Sequence, residues 1–135
     1  MRTIVKRLKP DEELFNAIEE ICREENIEAG VVLSLVGSLK RTQLRFANRE
    51  ESVHVNGPFE IVSATGTVAK SGCHLHISVS DGTGTVCGGH LVPGSLVYTT
   101  VEIVLMDLSA TTKFERTHCK LSGFDELAVT GRNGD

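Results

Sequence analysis

Three of the five histidines in this 135-residue chain lie within one short segment, and their spacing is compatible with metal binding. His74 and His76 stand two residues apart in a stretch of alternating polar and apolar residues, and His90 follows a glycine-containing turn signal. Side chains at positions i and i+2 of a strand share one face, so both imidazoles can reach one ion. Three neutral imidazoles suit zinc, or another divalent ion, and leave a fourth position for water, a carboxylate or a ligand.

Whether His90 joins the other two depends on the loop between the strands, because a one-residue shift in register moves every side chain to the opposite face. A three-residue loop formed by residues 82–84 places His76 across from His90, whereas an even-numbered loop places Leu75 there. Both glycines of the loop can adopt a left-handed backbone, as three-residue hairpin loops require, and this favours the first register.

These residues also have simpler interpretations. The histidines can be ordinary polar residues on a solvated sheet face. Glu102, on the polar side of a later strand, is the best candidate to complete a metal site, and an ordinary hydrogen-bonded carboxylate is its alternative role. Gly88 and Gly89, beside His90, carry no side chains, so a bound cofactor or another backbone could come close there. A serine hydrolase is not favoured, since the chain has no Gly-x-Ser-x-Gly turn.

The elements that carry these residues follow from the period of the apolar residues. Residues 3–8 predict a strand, and Asp11 is predicted to cap a helix with one apolar stripe. Further strands are predicted over residues 31–36, 39–47, 59–69, 74–80, 85–90, 97–108 and 114–121. Short glycine-containing turns favour antiparallel pairing, so we predict an α+β fold, a mostly antiparallel sheet with one main helix packed on it. Residues 1–125 are expected to form one domain, and residues 126–135 a flexible C-terminal tail.

The charge and the aromatic content argue against a nucleic-acid-binding domain. The chain has 14 Lys and Arg against 18 Asp and Glu, a net charge of −4, so it lacks a general positive field. Five Phe, one Tyr and no Trp are too few for a base-stacking platform. The one basic stretch comprises Lys40, Arg41, Arg45 and Arg49, and a solvated strand face is its simplest interpretation.

The cysteines and the hydropathy indicate an intracellular protein. The four cysteines are widely spaced and form no Cys-x-x-Cys pair, so we interpret them as reduced thiols. No stretch approaches the roughly 18 apolar residues of a membrane span, and the first residues lack a signal-peptide core. We therefore expect a cytoplasmic location and no contact with membranes.

Several short motifs along the chain resemble one known family. They are Gly57-Pro58-Phe59-Glu60-Ile61-Val62-Ser63, Gly66-Thr67, His74-Leu75-His76, Ser78-Val79-Ser80-Asp81, Gly88-Gly89-His90-Leu91 and Glu102-Ile103. Together they resemble the PPC domain, the plant and prokaryote conserved domain, over nearly the whole chain. The resemblance implies an α+β fold and a homotrimer, and the paired and later histidines of the family match His74, His76 and His90.

In plant members of this family the domain follows a DNA-binding AT-hook and contacts transcription factors through the segment that matches residues 57–62. Here Pro58 stands where the plant pattern has arginine, and the Arg-Gly-Arg-Pro core of the hook is absent. The resemblance is therefore to stand-alone members without a hook, which are often described as DNA-binding proteins. The charge of −4 does not favour that activity.

Three functions follow as hypotheses. The first is a homotrimeric binding or regulatory module with a three-histidine divalent metal site, which contacts a protein or a small-molecule ligand. The alternative is a zinc-dependent enzyme in which the metal activates water and Glu102 or Glu60 serves as general base. DNA binding through the basic stretch between Lys40 and Arg49 comes last.

Overall fold

The structure is a computed structural model that describes residues 1–131, and it contains a six-stranded sheet, one helix and a two-stranded hairpin. The elements are β1 (Arg2–Leu8), α1 (Leu14–Glu24), β2 (Gly30–Arg45), β3 (Val53–Val68), β4 (His74–Ser80), β5 (Val86–Leu91), β6 (Leu96–Asp107), β7 (Thr112–His118) and β8 (Asp125–Gly131). The large sheet has the order β1-β6-β2-β3-β4-β5, and its strands pair antiparallel. The predicted α+β class, a mostly antiparallel sheet with one helix, is confirmed.

The long strand β2 organises the sheet because it pairs with three other strands. β3 follows one edge of β2, and β6 follows the other edge as far as the pair Arg41–Leu96. Beyond that pair, β5 takes the place of β6, with Arg45 opposite His90. The sheet therefore curls until its last strand returns to β2.

The structure differs from the prediction at Gly37, where the sequence predicts a strand end. β2 continues through this residue, and a Cβ at Gly37 would lie 2.2 Å from the carbonyl oxygen of Thr100 in β6. The glycine thus allows β2 and β6 to approach closely instead of ending the strand. The turn signal at residues 56–58 likewise lies inside β3, where the pairing with β2 shifts register between Leu39 and Arg41.

The predicted helix start at Asp11 is also wrong. Asp11 has a left-handed backbone with φ of 70°, and its N–H donates to the carbonyl of Val97 at 3.0 Å. This hydrogen bond and the bridge between Glu13 and Leu96 hold the segment against the start of β6, so α1 begins at Leu14. Glu13 is the N-cap, and its carboxylate accepts from the first two backbone N–H groups after Leu14 at 3.1 and 2.7 Å.

Apolar side chains of the helix and the sheet share one core. The buried residues of α1 are Leu14, Ile18, Ile21 and Cys22, which confirms most of the predicted stripe. In β4 the side chains of Leu75, Ile77 and Val79 are only 1%, 3% and 0% exposed. Because side chains alternate along a strand, this burial directs His74 and His76 to the opposite face.

The C-terminal hairpin of β7 and β8 is predicted only in part. The sequence predicts a strand over residues 114–121 and a flexible tail over residues 126–135, yet residues 126–131 belong to β8 and pair with β7. Leu127 and Val129 of β8 are 40% and 58% exposed, so no buried pattern marks this strand in the sequence. Residues 132–135 of the expected tail lie outside the described residues.

All four cysteines are free thiols in the structure, as predicted. Cys22 is buried in the core, and the other three are half-buried. Within residues 1–131, no helix combines the length and the apolar character needed to cross a bilayer.

Gly66 provides a test of how tightly β3 and β4 pack. It lies opposite Leu75, and a Cβ at Gly66 would lie 2.1 Å from the carbonyl oxygen of His74. We predict that Gly66→Ala lowers the free energy of unfolding by about 1–3 kcal/mol, since two backbones must separate. Urea denaturation measures the change. Gly82→Ala is the control, because nothing lies within 4 Å of a Cβ there; an equal loss in both variants would contradict the packing argument.

Candidate metal centre

The hairpin of β4 and β5 has the three-residue loop that its glycines predict. The backbone N–H of Asp81 donates to the carbonyl of Thr85 at 2.9 Å, and Gly84 has a left-handed φ of 83°. The resulting register places His76 opposite His90, as predicted.

The three imidazoles of His74, His76 and His90 converge. One ring nitrogen from each lies within 4.8 Å of the other two, and the ring centroids are separated by 5.0, 5.0 and 5.6 Å. The Nε2 atoms of His74 and His76 are 3.2 Å apart. Two nitrogens that bind one tetrahedral zinc ion at about 2.0–2.1 Å lie roughly 3.3 Å apart, so this separation suits two ligands of a single ion.

One ring nitrogen of this cluster has no partner within the described chain. Nδ1 of His90 is buried and makes no hydrogen bond to any residue among 1–131. A buried polar atom without a partner is unusual in a folded protein and indicates a group that the chain itself does not supply. Together with the three converging imidazoles, a donor set that zinc prefers, this atom shows that the residues fit a divalent metal.

Burial keeps the imidazoles of His74 and His90 in the form that binds metals. The pKa of His90 falls to about 4, because burial disfavours the imidazolium and because His74, Arg45 and His76 lie nearby. Burial also lowers the pKa of His74, and the neighbouring His76 adds to the effect. Metals bind neutral imidazole, so protons compete little for these two side chains at neutral pH.

A cavity of about 390 Å³ opens beside the histidines. Its lining comprises Arg45, Gly72, Cys73, His74, His90, Arg116, Phe124, Asp125 and Glu126. The sequence predicts His74 and His90 as site residues, and it places Arg45 in the basic stretch, for which it favours a solvated strand face. The residues from the C-terminal hairpin were missed, because nothing local in the sequence places β7 and β8 against β4.

The structure does not bring Glu102 or Glu60 to the histidines. Glu102 lies on β6, and β2 and β3 separate that strand from β4. Glu60 lies opposite Ser80, at the other end of β4 from the histidines. The carboxylates that line the cavity are those of Asp125 and Glu126. Strand alternation predicts the face of a carboxylate but not which strands are neighbours, and this is why the sequence does not point to Asp125 and Glu126.

Gly88 and Gly89 have a packing role in the structure. A Cβ at Gly88 would lie 2.7 Å from the carbonyl oxygen of Ile77, and one at Gly89 would lie 2.8 Å from that of Arg45. Neighbouring backbone therefore fills the space beside His90. Of the two predicted alternatives, a bound cofactor and another backbone, the structure shows the second.

The basic stretch does not form one continuous surface. Lys40 forms an ion pair with Asp11, and Nε of Arg41 donates to the carbonyl of Gly94 at 3.2 Å. Arg45 instead lines the cavity beside the histidines. Lys40, Arg41 and Arg45 thus lie against three different parts of the fold.

The sequence matches a known protein family. A family model of the Plants and Prokaryotes Conserved (PCC) domain, also written PPC, matches residues 1–109. The chain belongs to this family. The PPC match includes all three histidines and ends before β7.

Similar proteins extend this comparison. The bifunctional protein GlmU of Synechococcus sp. (strain JA-3-3Ab) is 40% identical over 129 residues, which are 96% of this chain and 21% of that protein. The chain thus spans about a fifth of the length of the curated relatives that it matches. A hypothetical protein from Salmonella enterica has 37% identity and a TM-score of 0.93, covering 97% of this chain and 94% of that one. A metal-containing protein from Archaeoglobus fulgidus has 27% identity and a TM-score of 0.79, covering 95% and 94%.

The neutral state of His90 gives a pH prediction. We expect folded, metal-free protein to show a His90 pKa of about 4, whereas the urea-unfolded chain should show about 6.5. Because the pKa is lower in the folded state, protonation favours unfolding, and stability should fall as the pH decreases from about 6.5 towards the folded pKa. Ring resonances in NMR measure both values. A folded midpoint equal to the unfolded one would contradict the burial argument.

Proposed function

We propose that this PPC-domain protein is a metal-dependent binding module in which His74, His76 and His90 hold a zinc ion beside a ligand cavity. The observation that carries the proposal is the convergence of three ring nitrogens within 4.8 Å, one ring having an unpartnered buried Nδ1. The similar Archaeoglobus protein, which is metal-containing, supports a metal here. Imidazole ligands favour zinc over magnesium or calcium, which prefer oxygen.

Three imidazoles leave one position of a tetrahedral zinc ion open, and the bound ion would supply a Lewis acid to a ligand there. The chain itself contributes the neutral rings, held in register by the β4–β5 hairpin, and the cavity that would admit the ligand. The catalytic alternative lacks comparable support, because the predicted bases Glu102 and Glu60 lie elsewhere in the sheet. We therefore favour a module that binds a protein segment or a small molecule over an enzyme that catalyses hydrolysis.

We also propose that three copies assemble into a homotrimer in the cytoplasm. Large apolar side chains are exposed on several strands, namely Val5, Leu33, Val36, Val62 and Tyr98. Symmetric assemblies can cover exposed apolar side chains, and this exposure therefore supports an oligomer. The four free thiols suit a reducing compartment and so support the location.

The zinc site is tested by His76→Ala. Wild-type protein purified without a metal-affinity tag should carry about one zinc per chain by elemental analysis, and the variant should carry little, because two imidazoles hold zinc poorly. His54→Ala is the matched control, since His54 bonds Asn56 at 2.9 Å and lies outside the cluster. Zinc-free wild type, or equal zinc in both variants, would refute the proposed site.

The assembly is tested by light scattering. We expect a mass three times the 14.6 kDa of the chain. Val36→Lys should lower this mass, because a charge placed in a buried interface is costly. Leu121→Lys is the control, as Leu121 is fully exposed in the turn between β7 and β8. A monomeric wild type at micromolar concentration would rule out the trimer.

A further inference from the structure

Two arginines face the cavity beside the histidines, and neither is neutralised by an ion pair. Within residues 1–131, Arg45 and Arg116 form no salt bridge. Arg45 donates from Nη1 to the carbonyl of Arg49 at 3.3 Å, and Arg116 donates from Nη2 to Oγ1 of Thr67 at 2.8 Å. A guanidinium has five N–H donors, so both side chains keep donors for another group.

The C-terminal hairpin holds Arg116 over the histidine end of β4. The stem of Arg116 passes Gly72, where a Cβ would lie 3.3 Å from Cγ of the arginine. The hairpin is fixed to the rest of the fold at Phe114, whose N–H donates to Glu28 at 2.8 Å and whose carbonyl accepts from the Ser71 hydroxyl at 2.7 Å. The arginine is thus placed by the two backbone hydrogen bonds of Phe114 and by its own bond to Thr67.

The charge of the cavity changes once a metal binds. Asp125 and Glu126 carry two negative charges and the two arginines carry two positive charges. The lining therefore has no net charge when the imidazoles are neutral. A divalent ion held by the histidines would add two positive charges, which a bound anion would offset. The volume of about 390 Å³ suits a small molecule, and Phe124 offers an apolar wall.

We propose that this cavity binds a small organic carboxylate, held by Arg45 and Arg116 beside the histidine-bound ion, with its apolar part against Phe124. The inference rests on the proposed metal site. The guanidinium fork matches the two oxygens of a carboxylate.

The recognition of such a ligand combines two parts of the chain. The range matched by the family, residues 1–109, supplies the three histidines and Arg45. Arg116 and Phe124 belong to the hairpin that follows it. The matched range thus supplies the metal ligands and one arginine, and the hairpin supplies the second arginine and the apolar wall.

The probe for this site is benzoate, which combines one carboxylate with one apolar ring. The zinc-loaded 135-residue chain is titrated by calorimetry or ligand-observed NMR with benzoate, with neutral benzamide and with phenyl phosphate. We expect benzoate to bind with a Kd on the order of 1 mM, typical of so small a ligand. Benzamide should not saturate, because it lacks the negative charge that the two guanidinium groups bind.

Substitutions connect this binding to the two arginines. Arg116→Gln and Arg45→Gln should each weaken benzoate binding about tenfold and leave the zinc content unchanged. Arg7→Gln is the matched control, because it removes the same charge from β1, away from the cavity. If Arg116→Gln does not fold, Arg45→Gln and Phe124→Ser carry the test, the latter with an expected loss of several-fold.

The outcomes separate this inference from the metal site. Absence of saturable benzoate binding, binding equal to that of benzamide, or binding unchanged in both arginine variants overturns the carboxylate site. Tighter binding of phenyl phosphate overturns the choice of a carboxylate. Each of these results, with zinc still present, leaves the proposed metal module intact. Zinc-free wild type instead overturns the proposed function, and the inference with it.

Discussion

The burial of Leu75, Ile77 and Val79 on one face of β4 is the constraint on which the candidate site depends. These side chains are at most 3% exposed, so a shift of β4 by one residue would move them into solvent and turn His74 and His76 into the core. The three-residue hairpin loop fixes the register of β5 relative to β4, so His90 lies opposite His76 and becomes the third imidazole of the cluster. The convergence of the histidines is thus a consequence of hydrophobic burial on the opposite face of the same strand.

A second constraint is the return of β5 to β2. The pair Arg45–His90 closes the curled part of the sheet and places a cation beside a half-buried imidazole. Burial and the neighbouring charges then hold the pKa of His90 at about 4, so the ring stays neutral and able to bind a metal. The cost of its unpartnered Nδ1 is consistent with a site shaped for a bound ion rather than for stability alone.

The family model divides the chain in a way that the cavity does not. Residues 1–109 match the PPC family and contain the histidines, yet Arg116 and Phe124 complete the cavity from a hairpin outside that range. In the GlmU relatives the matching region is about a fifth of a longer protein. The cavity beside the histidines is therefore lined both by residues of the matched range and by residues that follow it.

Short-range patterns in the sequence predicted the α+β class, the bounds of β4, the apolar stripe of α1 and the loop that aligns His76 with His90. These features depend on side-chain alternation and turn chemistry, which act over a few residues. The tertiary structure decided the start of α1, the continuity of β2 through Gly37, the pairing of β8 and the identity of the charged residues around the histidines. The sequence points to Glu102 as a site residue, although it lies away from the histidines, and gives no signal for Arg116, which lines the cavity beside them. Both results have the same cause. Which strands become neighbours depends on contacts between residues far apart in the chain, and no local pattern encodes them.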